Sequence, residues 1–125
     1  MPRITAAESA LLIVGLQERL LPAIHGAEAL IHQADKLASA ARALGVPIVV
    51  SEHCPEVMGP TVARLAQSLE AAVVLPKSSF DACADPGFHA CLTANSVVVL
   101  GAEAHVCVMQ TVLGLIAAGR QVHLV

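Results

Sequence analysis

Runs of consecutive apolar residues recur along this chain, and polar or amphipathic stretches separate them. Five of these runs have the length of strands, at residues 10–16, 47–51, 71–75, 97–100 and 122–125. Because the runs are apolar throughout, rather than alternating with polar residues, they predict strands that are covered on both faces.

The stretches between the runs predict helices. Residues 26–45 carry apolar side chains at spacings of three and four, which places them on one helical face before Gly45 and Pro47 end the helix. Three further helices are predicted at residues 61–68, from Asp85–Pro86 onward and at residues 106–118. Strands that alternate with helices indicate βαβ units, and therefore an α/β fold with a parallel sheet.

The composition fits this architecture and narrows the function. Hydrophobic residues make up 56% of the 125 residues and charged residues 14%, which suits one domain with a sheet buried between helices. The formal net charge of −3 gives no basic footprint, so we expect no nucleic-acid partner. Since no apolar run has the length of a membrane span and no signal-like leader opens the chain, we expect no membrane contact and a cytoplasmic location.

One of the four cysteines stands at a position that favours reactivity. None of the four forms a C-x-x-C pair, and we interpret them as reduced thiols. Cys107 lies beyond the β-branched run that stops at Gly101, where an apolar helix opens. The free N–H groups and the positive end of a helix dipole favour a thiolate there, so the pattern predicts a sulfur nucleophile. Cys54, Cys83 and Cys91 are interpreted as packing residues.

Polar side chains are concentrated where the predicted strands end. In a doubly wound sheet, ligands bind beyond the carboxyl ends of the strands. The groups in these loops that could take part in chemistry are Gln17, Glu18, Glu52, His53, Lys77, Asp81, Glu103, His105 and Cys107. The chain has no Trp or Tyr, so a pocket at this edge would be lined by aliphatic side chains, His and at most one Phe.

The segment GAEAHVCVMQT at residues 101–111 resembles the nucleophile region of the isochorismatase-like cysteine hydrolases, a superfamily that includes nicotinamidases. Supporting segments occur in the right order: LLIVGLQERLLP at 11–22, VPIVVSEHCPEVMG at 46–59 and PKSSF at 76–80. The resemblance covers essentially the whole chain, and identifies residues 1–125 as a single isochorismatase-like hydrolase domain that lacks the family's C-terminal portion. It implies a doubly wound (Rossmann-like), three-layer α/β/α fold with about five parallel strands in the order 3-2-1-4-5.

The resemblance also implies the catalytic residues. The family works with a Cys nucleophile, a Lys and an Asp, and Cys107 and Lys77 match the first two. The Asp should follow the first strand in a V-D-x-Q pattern, but this chain has Gly15 at that position. The aspartate takes the proton of the thiol, so its absence predicts a weakened site in which Glu52 or His105 would have to act as the base.

Similar proteins have a cis peptide bond shortly before the nucleophile, here at Ala102–Glu103. This arrangement implies an oxyanion hole formed by the backbone N–H groups of Glu103 and Cys107.

Five further residues are assigned to the substrate pocket: Gln17, Glu52, His53, Phe80 and His105. Gln17 is expected to orient the backbone around the pocket, Phe80 to form its wall or the core, and His105 to hydrogen-bond within its turn. Some nicotinamidase-like relatives bind a metal through Asp-x-His in the region of His53. Here the adjacent Glu52 and His53 could not readily face one ion from a straight strand, so we expect no metal ligands and no cofactor.

The favoured interpretation is hydrolysis of a small amide or related C–N bond by a Cys nucleophile, impaired by the missing Asp. The alternative is a catalytically inactive member of the fold that serves as a binding or oligomer-forming subunit, which Gly15 favours. A redox-responsive thiol protein is a third possibility without support from the cysteine spacing. We expect a small-molecule substrate and a homo-oligomer, a dimer or larger, because relatives commonly assemble and the apolar composition agrees with buried subunit contacts.

Overall fold

The computed structural model describes residues 3–125 and contains a five-stranded sheet. Its strands are β1 (Ser9–Val14), β2 (Ile48–His53), β3 (Val73–Lys77), β4 (Ser96–Gly101) and β5 (Gln121–Leu124). All neighbouring strands pair in parallel, in the order β3-β2-β1-β4-β5. The predicted α/β fold, parallel sheet and strand order are therefore confirmed.

Helices connect the strands. They are α1 (Ala27–Ala43), α2 (Pro55–Met58), α3 (Phe88–Cys91) and α4 (Met109–Ala117). Single 3-10 turns occur at Ala6–Glu8, Leu21–Ala23, Ala63–Leu65 and Ala82–Ala84, and a π-helical turn at Ala104–Val108 leads into α4. Within residues 3–125, none of the helices combines the length and the apolar character that a membrane crossing requires.

Apolar side chains pack against both faces of the inner strands, whereas the edge strands β3 and β5 are only partly buried, so the prediction that the strands are covered on both faces is wrong for these two. All residues of β1 are buried, and they alternate between two core clusters. Leu12 and Val14 pack with residues of α3 and α4, whereas Leu11 and Ile13 pack with residues of α1. Both faces of the central strand are thus covered, which explains why its sequence is apolar throughout.

Two helix predictions are wrong. Residues 61–68 form only the 3-10 turn at Ala63–Leu65 rather than a helix. The helix expected to start at Asp85–Pro86 starts at Phe88, with Gly87 in a left-handed conformation at its N-cap. Asp85 has an extended backbone with ψ of 136°, as expected for a residue that precedes proline, and it does not cap the helix.

The strand register brings the carboxyl ends of the inner strands together. Val14 is paired with Ser51 on one side and Gly101 on the other, and His53 is paired with Lys77. The loops that follow β1, β2, β3 and β4 therefore meet at one edge of the sheet, beside the start of the π-helical turn.

Candidate active site

A cavity of about 150 Å³ opens at the carboxyl edge of the sheet. Its lining residues are Gly15, Gln17, Leu20, His53, Met58, Phe80, Glu103, Val106 and Cys107. They come from the loops after β1, β2, β3 and β4 and from the π-helical turn, so the cavity lies where ligands bind in doubly wound sheets.

Cys107 lies in the π-helical turn, and its side chain faces the cavity. The residue is 7% exposed, so its thiol is shielded but reachable from the cavity. The turn Ala104–Val108 precedes the first α-helical residue, Met109. Single π-helical turns are frequent at functional sites because they displace a side chain from the regular helical path.

The chain between β4 and this turn contains the cis peptide bond that the resemblance implies, at Ala102–Glu103. Within residues 3–125, the backbone N–H of Glu103 has no hydrogen-bond acceptor. The carbonyl of Glu103 accepts from the N–H groups of Val106 and Val108, which fixes the path of the turn.

Lys77, the last residue of β3, is 6% exposed and lies behind Cys107. Its Nζ is 3.6 Å from Cys107 Sγ and 3.2 Å from His53 Nδ1, and it donates to the carbonyl oxygens of Ser79 at 2.7 Å and Phe80 at 3.2 Å. A buried ammonium needs such partners, because an unpaired charge in the interior is strongly unfavourable. These contacts hold a cationic amine beside the sulfur.

Gln17 is fully buried and hydrogen-bonded to two loops. Its Nε2 donates to the carbonyls of His53 at 3.0 Å and Gly59 at 2.8 Å, and its Oε1 accepts from the N–H of His53 at 2.8 Å. The amide thus hydrogen-bonds both the N–H and the carbonyl of His53, and it joins the loop after β1 to the end of β2.

The ring of His53 is held between Lys77 and Phe80. It stacks on Phe80 with 5.2 Å between ring centroids and an interplanar angle of 24°. Burial and the positive charge of Lys77 lower the pKa of His53 below its usual 6.5, against opposing effects of the Ser79 carbonyl, Asp85 and Glu56. The imidazole is therefore neutral at pH 7.

Gly15 also lines the cavity, and its surroundings leave no room for a side chain. Its φ is +66°, a left-handed conformation that favours glycine. A Cβ at this position would clash with the carbonyl oxygen of Ala102.

Glu52 and His105, assigned to the pocket from the sequence, do not line this cavity. The Glu52 carboxylate accepts from the backbone N–H of Thr61 at 2.7 Å and from its hydroxyl at 2.8 Å, so it fixes the neighbouring loop. The His105 side chain is 78% exposed, and its Nε2 is 3.6 Å from Glu103 Oε2. Neither residue is placed to serve as a base for Cys107.

Three apolar lining residues were not singled out by the sequence analysis. Leu20 and Met58 come from the loops after β1 and β2, and Val106 comes from the turn before Cys107. Their position in the loops at the strand ends is the sequence signal that could have identified them, because their apolar side chains carry no chemical signature.

The other thiols are less suited to nucleophilic chemistry. Burial and the neighbouring Asp81 raise the pKa of Cys83 to about 12, and Asp81 accepts a hydrogen bond from the N–H of Cys83 at 2.8 Å. Cys54 and Cys91 do not line the cavity. Among residues 3–125, no three His, Cys, Asp or Glu side chains converge as ligands for a metal ion.

Known proteins are similar to this chain in sequence and in fold. Residues 9–125 match the family model described as the isochorismatase domain. The chain is 38% identical over 126 residues to isochorismatase domain-containing protein 1 from Danio rerio, an alignment that covers 98% of this chain and 44% of that protein. The chain thus spans less than half the length of this relative.

Solved structures share the fold. The structure titled MAR1 ribonuclease from Caenorhabditis elegans superimposes with a TM-score of 0.92 and 35% identity, over 99% of this chain and 65% of that one. The YcaC gene product from Escherichia coli, described as an octameric hydrolase of unknown specificity, superimposes with a TM-score of 0.86. The two proteins are 20% identical in sequence over 98% of this chain and 64% of the Escherichia coli chain, so the similarity is one of fold.

Proposed function

The chain belongs to the isochorismatase domain family, and on this premise we propose that it is a hydrolase whose Cys107 attacks a small amide or related C–N bond. The observation that carries the proposal is the 3.6 Å contact between Lys77 Nζ and Cys107 Sγ beside the cavity. A cation at this distance favours the thiolate, which is the nucleophilic form of cysteine. The two residues therefore supply an activated nucleophile without a metal ion.

In this mechanism the thiolate adds to the substrate carbonyl carbon, and the developing oxyanion needs hydrogen-bond donors. The N–H of Glu103, which has no other acceptor among the described residues, supports its assignment as one donor, together with the N–H of Cys107. Donors of this kind lower the barrier by about 3–4 kcal/mol. Collapse of the adduct expels the amine and leaves a thioester at Cys107, which water then hydrolyses.

The cavity favours a small substrate. Its volume of about 150 Å³ equals that of an engineered cavity that holds a molecule of the size of benzene, about six heavy atoms. Its apolar wall of Leu20, Met58 and Val106 suits a hydrocarbon or ring portion beside the scissile bond. The Caenorhabditis elegans protein is described as a ribonuclease, but the small cavity and the net charge of −3 of this chain do not favour RNA as its substrate.

Gly15 supports a second candidate function. Without a carboxylate at this position, the fold could retain the cavity and bind a small molecule without turnover, as a catalytically inactive subunit. This candidate and the hydrolase predict different behaviour of the same variants.

We further propose that the protein forms a homo-oligomer in the cytoplasm. The Escherichia coli structure is described as octameric, and α4 exposes the apolar side chains of Met109, Leu113 and Ile116 on one face. Four free cysteines suit a reducing compartment.

The test of the hydrolase is an assay against a panel of small amides, with an RNA oligonucleotide as a further arm. We expect turnover of at least one amide by the wild type, a loss of about a thousandfold or more in Cys107→Ala, and a loss of about a hundredfold in Lys77→Met. Cys91→Ala is the matched control, because Cys91 is an exposed thiol outside the cavity. Activity that survives in Cys107→Ala, or cleavage of RNA alone, would contradict the proposal. Saturable amide binding without turnover would favour the inactive subunit.

A further inference from the structure

We propose that His53 accepts the proton of the Cys107 thiol, through Lys77, in the place of the carboxylate that position 15 lacks. This inference rests on the proposed function and names the base of that same site. From the sequence, Glu52 and His105 were the candidates for this role, and His53 was not.

The geometry provides a continuous path for the proton. Cys107 Sγ is 3.6 Å from Lys77 Nζ, and Lys77 Nζ is 3.2 Å from His53 Nδ1. Nζ also donates to the carbonyls of Ser79 and Phe80, which accept only. An ammonium has no acceptor, so Nδ1 of His53 must accept from Nζ and the ring proton is carried by Nε2. The lone pair of His53 Nδ1 thus points at the amine that contacts the sulfur.

The transfer balances without any further reactant. The S–H bond of Cys107 breaks and its proton bonds to Nζ, while one of the existing Nζ protons moves to Nδ1. The site changes from thiol, ammonium and neutral imidazole to thiolate, ammonium and imidazolium, and its total charge remains +1. When the amine is expelled, Lys77 Nζ donates a proton to the leaving nitrogen and takes the proton of the imidazolium in return, so that the ring is neutral again while the sulfur carries the acyl group.

The surroundings of His53 provide for both protonation states. Burial and Lys77 hold the pKa of His53 below 6.5, so that the ring is unprotonated and able to accept at pH 7. The Ser79 carbonyl, Asp85 and Glu56 favour the protonated ring, and the thiolate formed in the transfer adds a fourth such group. Stacking on Phe80 and the two backbone bonds to Gln17 keep the ring oriented toward Nζ.

Carboxylates near the cavity do not contact the Lys77–Cys107 pair, although among the described residues Asp85 Oδ2 is buried without a hydrogen-bond partner. Glu52 is held by Thr61, and the carboxylate of Asp85 accepts from Ser79 Oγ at 3.3 Å. Glu103 lines the cavity, but its Oε2 faces His105 and, within residues 3–125, it makes no hydrogen bond to Lys77 or Cys107. His53 is therefore the titratable side chain in direct contact with the Lys77–Cys107 pair.

The test follows the alkylation of Cys107 by iodoacetamide between pH 5 and 10, with mass spectrometry of the peptide that contains this residue. The wild type should react at a plateau between about pH 6.5 and 8.5, where the number of protons shared between Cys107 and His53 is constant and a fixed fraction of the sulfur is thiolate. His53→Asn places an amide oxygen near the position of Nδ1, which keeps an acceptor for Lys77 but removes the base. In this variant we expect a single rise near the ordinary thiol pKa of about 8.5, and a rate at pH 7 reduced about tenfold or more.

The controls distinguish a role of His53 as the proton acceptor from a role in which it only positions Lys77. His32→Asn, at an exposed position of α1, should retain the wild-type profile. If His53→Asn also retains the plateau, His53 only positions Lys77 and the inference is wrong. Alkylation needs no substrate, so the two proposals can fail separately. If His53→Asn loses the plateau while the wild type turns over no amide, the proposed hydrolysis is wrong and the proton path is still supported.

Discussion

At Gly15 the backbone turns with φ of +66° directly beside the carbonyl of Ala102. By resemblance, Gly15 stands at the position of the family's aspartate, so the obvious substitution to restore the base would be Gly15→Asp. The structure adds a steric condition, because any side chain here has its first carbon in contact with backbone rather than with a movable group.

We therefore expect Gly15→Asp to destabilise the protein instead of restoring a base. A non-glycine residue in this conformation costs about 1–3 kcal/mol, and displacement of the Ala102 carbonyl adds to that cost. Thermal unfolding should show a midpoint at least about 4 °C lower, and amide turnover should not exceed that of the wild type. Gly15→Ala, which carries the same Cβ without the carboxylate, is the matched control. A rise in turnover that is seen in Gly15→Asp and not in Gly15→Ala would contradict this expectation.

At the scale of elements, the strands were predictable and the loops between them were not. A buried parallel strand has a local signature, and all five runs correspond to strands. The helix expected at residues 61–68 depended on weak periodicity, and contacts such as the hydrogen bonds of Thr61 to Glu52 override it. Cys107 and Lys77 could be placed at strand ends, but the position of the His53 ring depends on Gln17 and Phe80, which are distant in sequence.

The packing of α4 on the turn after β3 gives a prediction for this element. Gly114 lies within α4, where replacement of glycine by alanine ordinarily gains about 0.5–1 kcal/mol. Here a Cβ would lie 2.6 Å from Asp81 Oδ1 and 2.9 Å from Cys83 Sγ. Asp81 caps the N–H of Cys83, so its movement would break that hydrogen bond.

We expect Gly114→Ala to lower the free energy of unfolding by about 1 kcal/mol, since overpacking of 1–3 kcal/mol exceeds the gain in helix propensity. Urea unfolding followed by circular dichroism measures the difference. Gln110→Ala, at an exposed position of the same helix, is the control and should change the stability by less than about 0.5 kcal/mol. A stabilised Gly114→Ala variant would mean that the turn after β3 does not press on α4.

At the scale of the whole molecule, the central strand β1 is buried, whereas apolar side chains are exposed on the edge strand β3 and on α4. β1 is buried along its length, whereas Val73 and Val74 of the edge strand β3 are 45% and 48% exposed. On α4, Met109, Leu113 and Ile116 are 43%, 55% and 55% exposed, at spacings of four and three that form one stripe. Scattered apolar residues are normal on a surface, but a continuous stripe on one helix is typical of a contact surface.

The α4 stripe gives the prediction that tests self-association. A stable interface buries about 800 Å² on each partner, and the stripe would form its apolar centre. Leu113→Lys would place an unpaired charge in that centre, so sedimentation equilibrium should show subunit dissociation at least tenfold easier than in the wild type, about 1.4 kcal/mol. Leu44→Lys changes a leucine that is 68% exposed at the end of α1, and it should leave the assembly unchanged. An assembly that tolerates Leu113→Lys, or that both variants weaken alike, would contradict a role of the stripe. Cys107 lies in the π-helical turn that leads into α4, so dissociation that also slows alkylation of Cys107 would show that subunit contact supports the site.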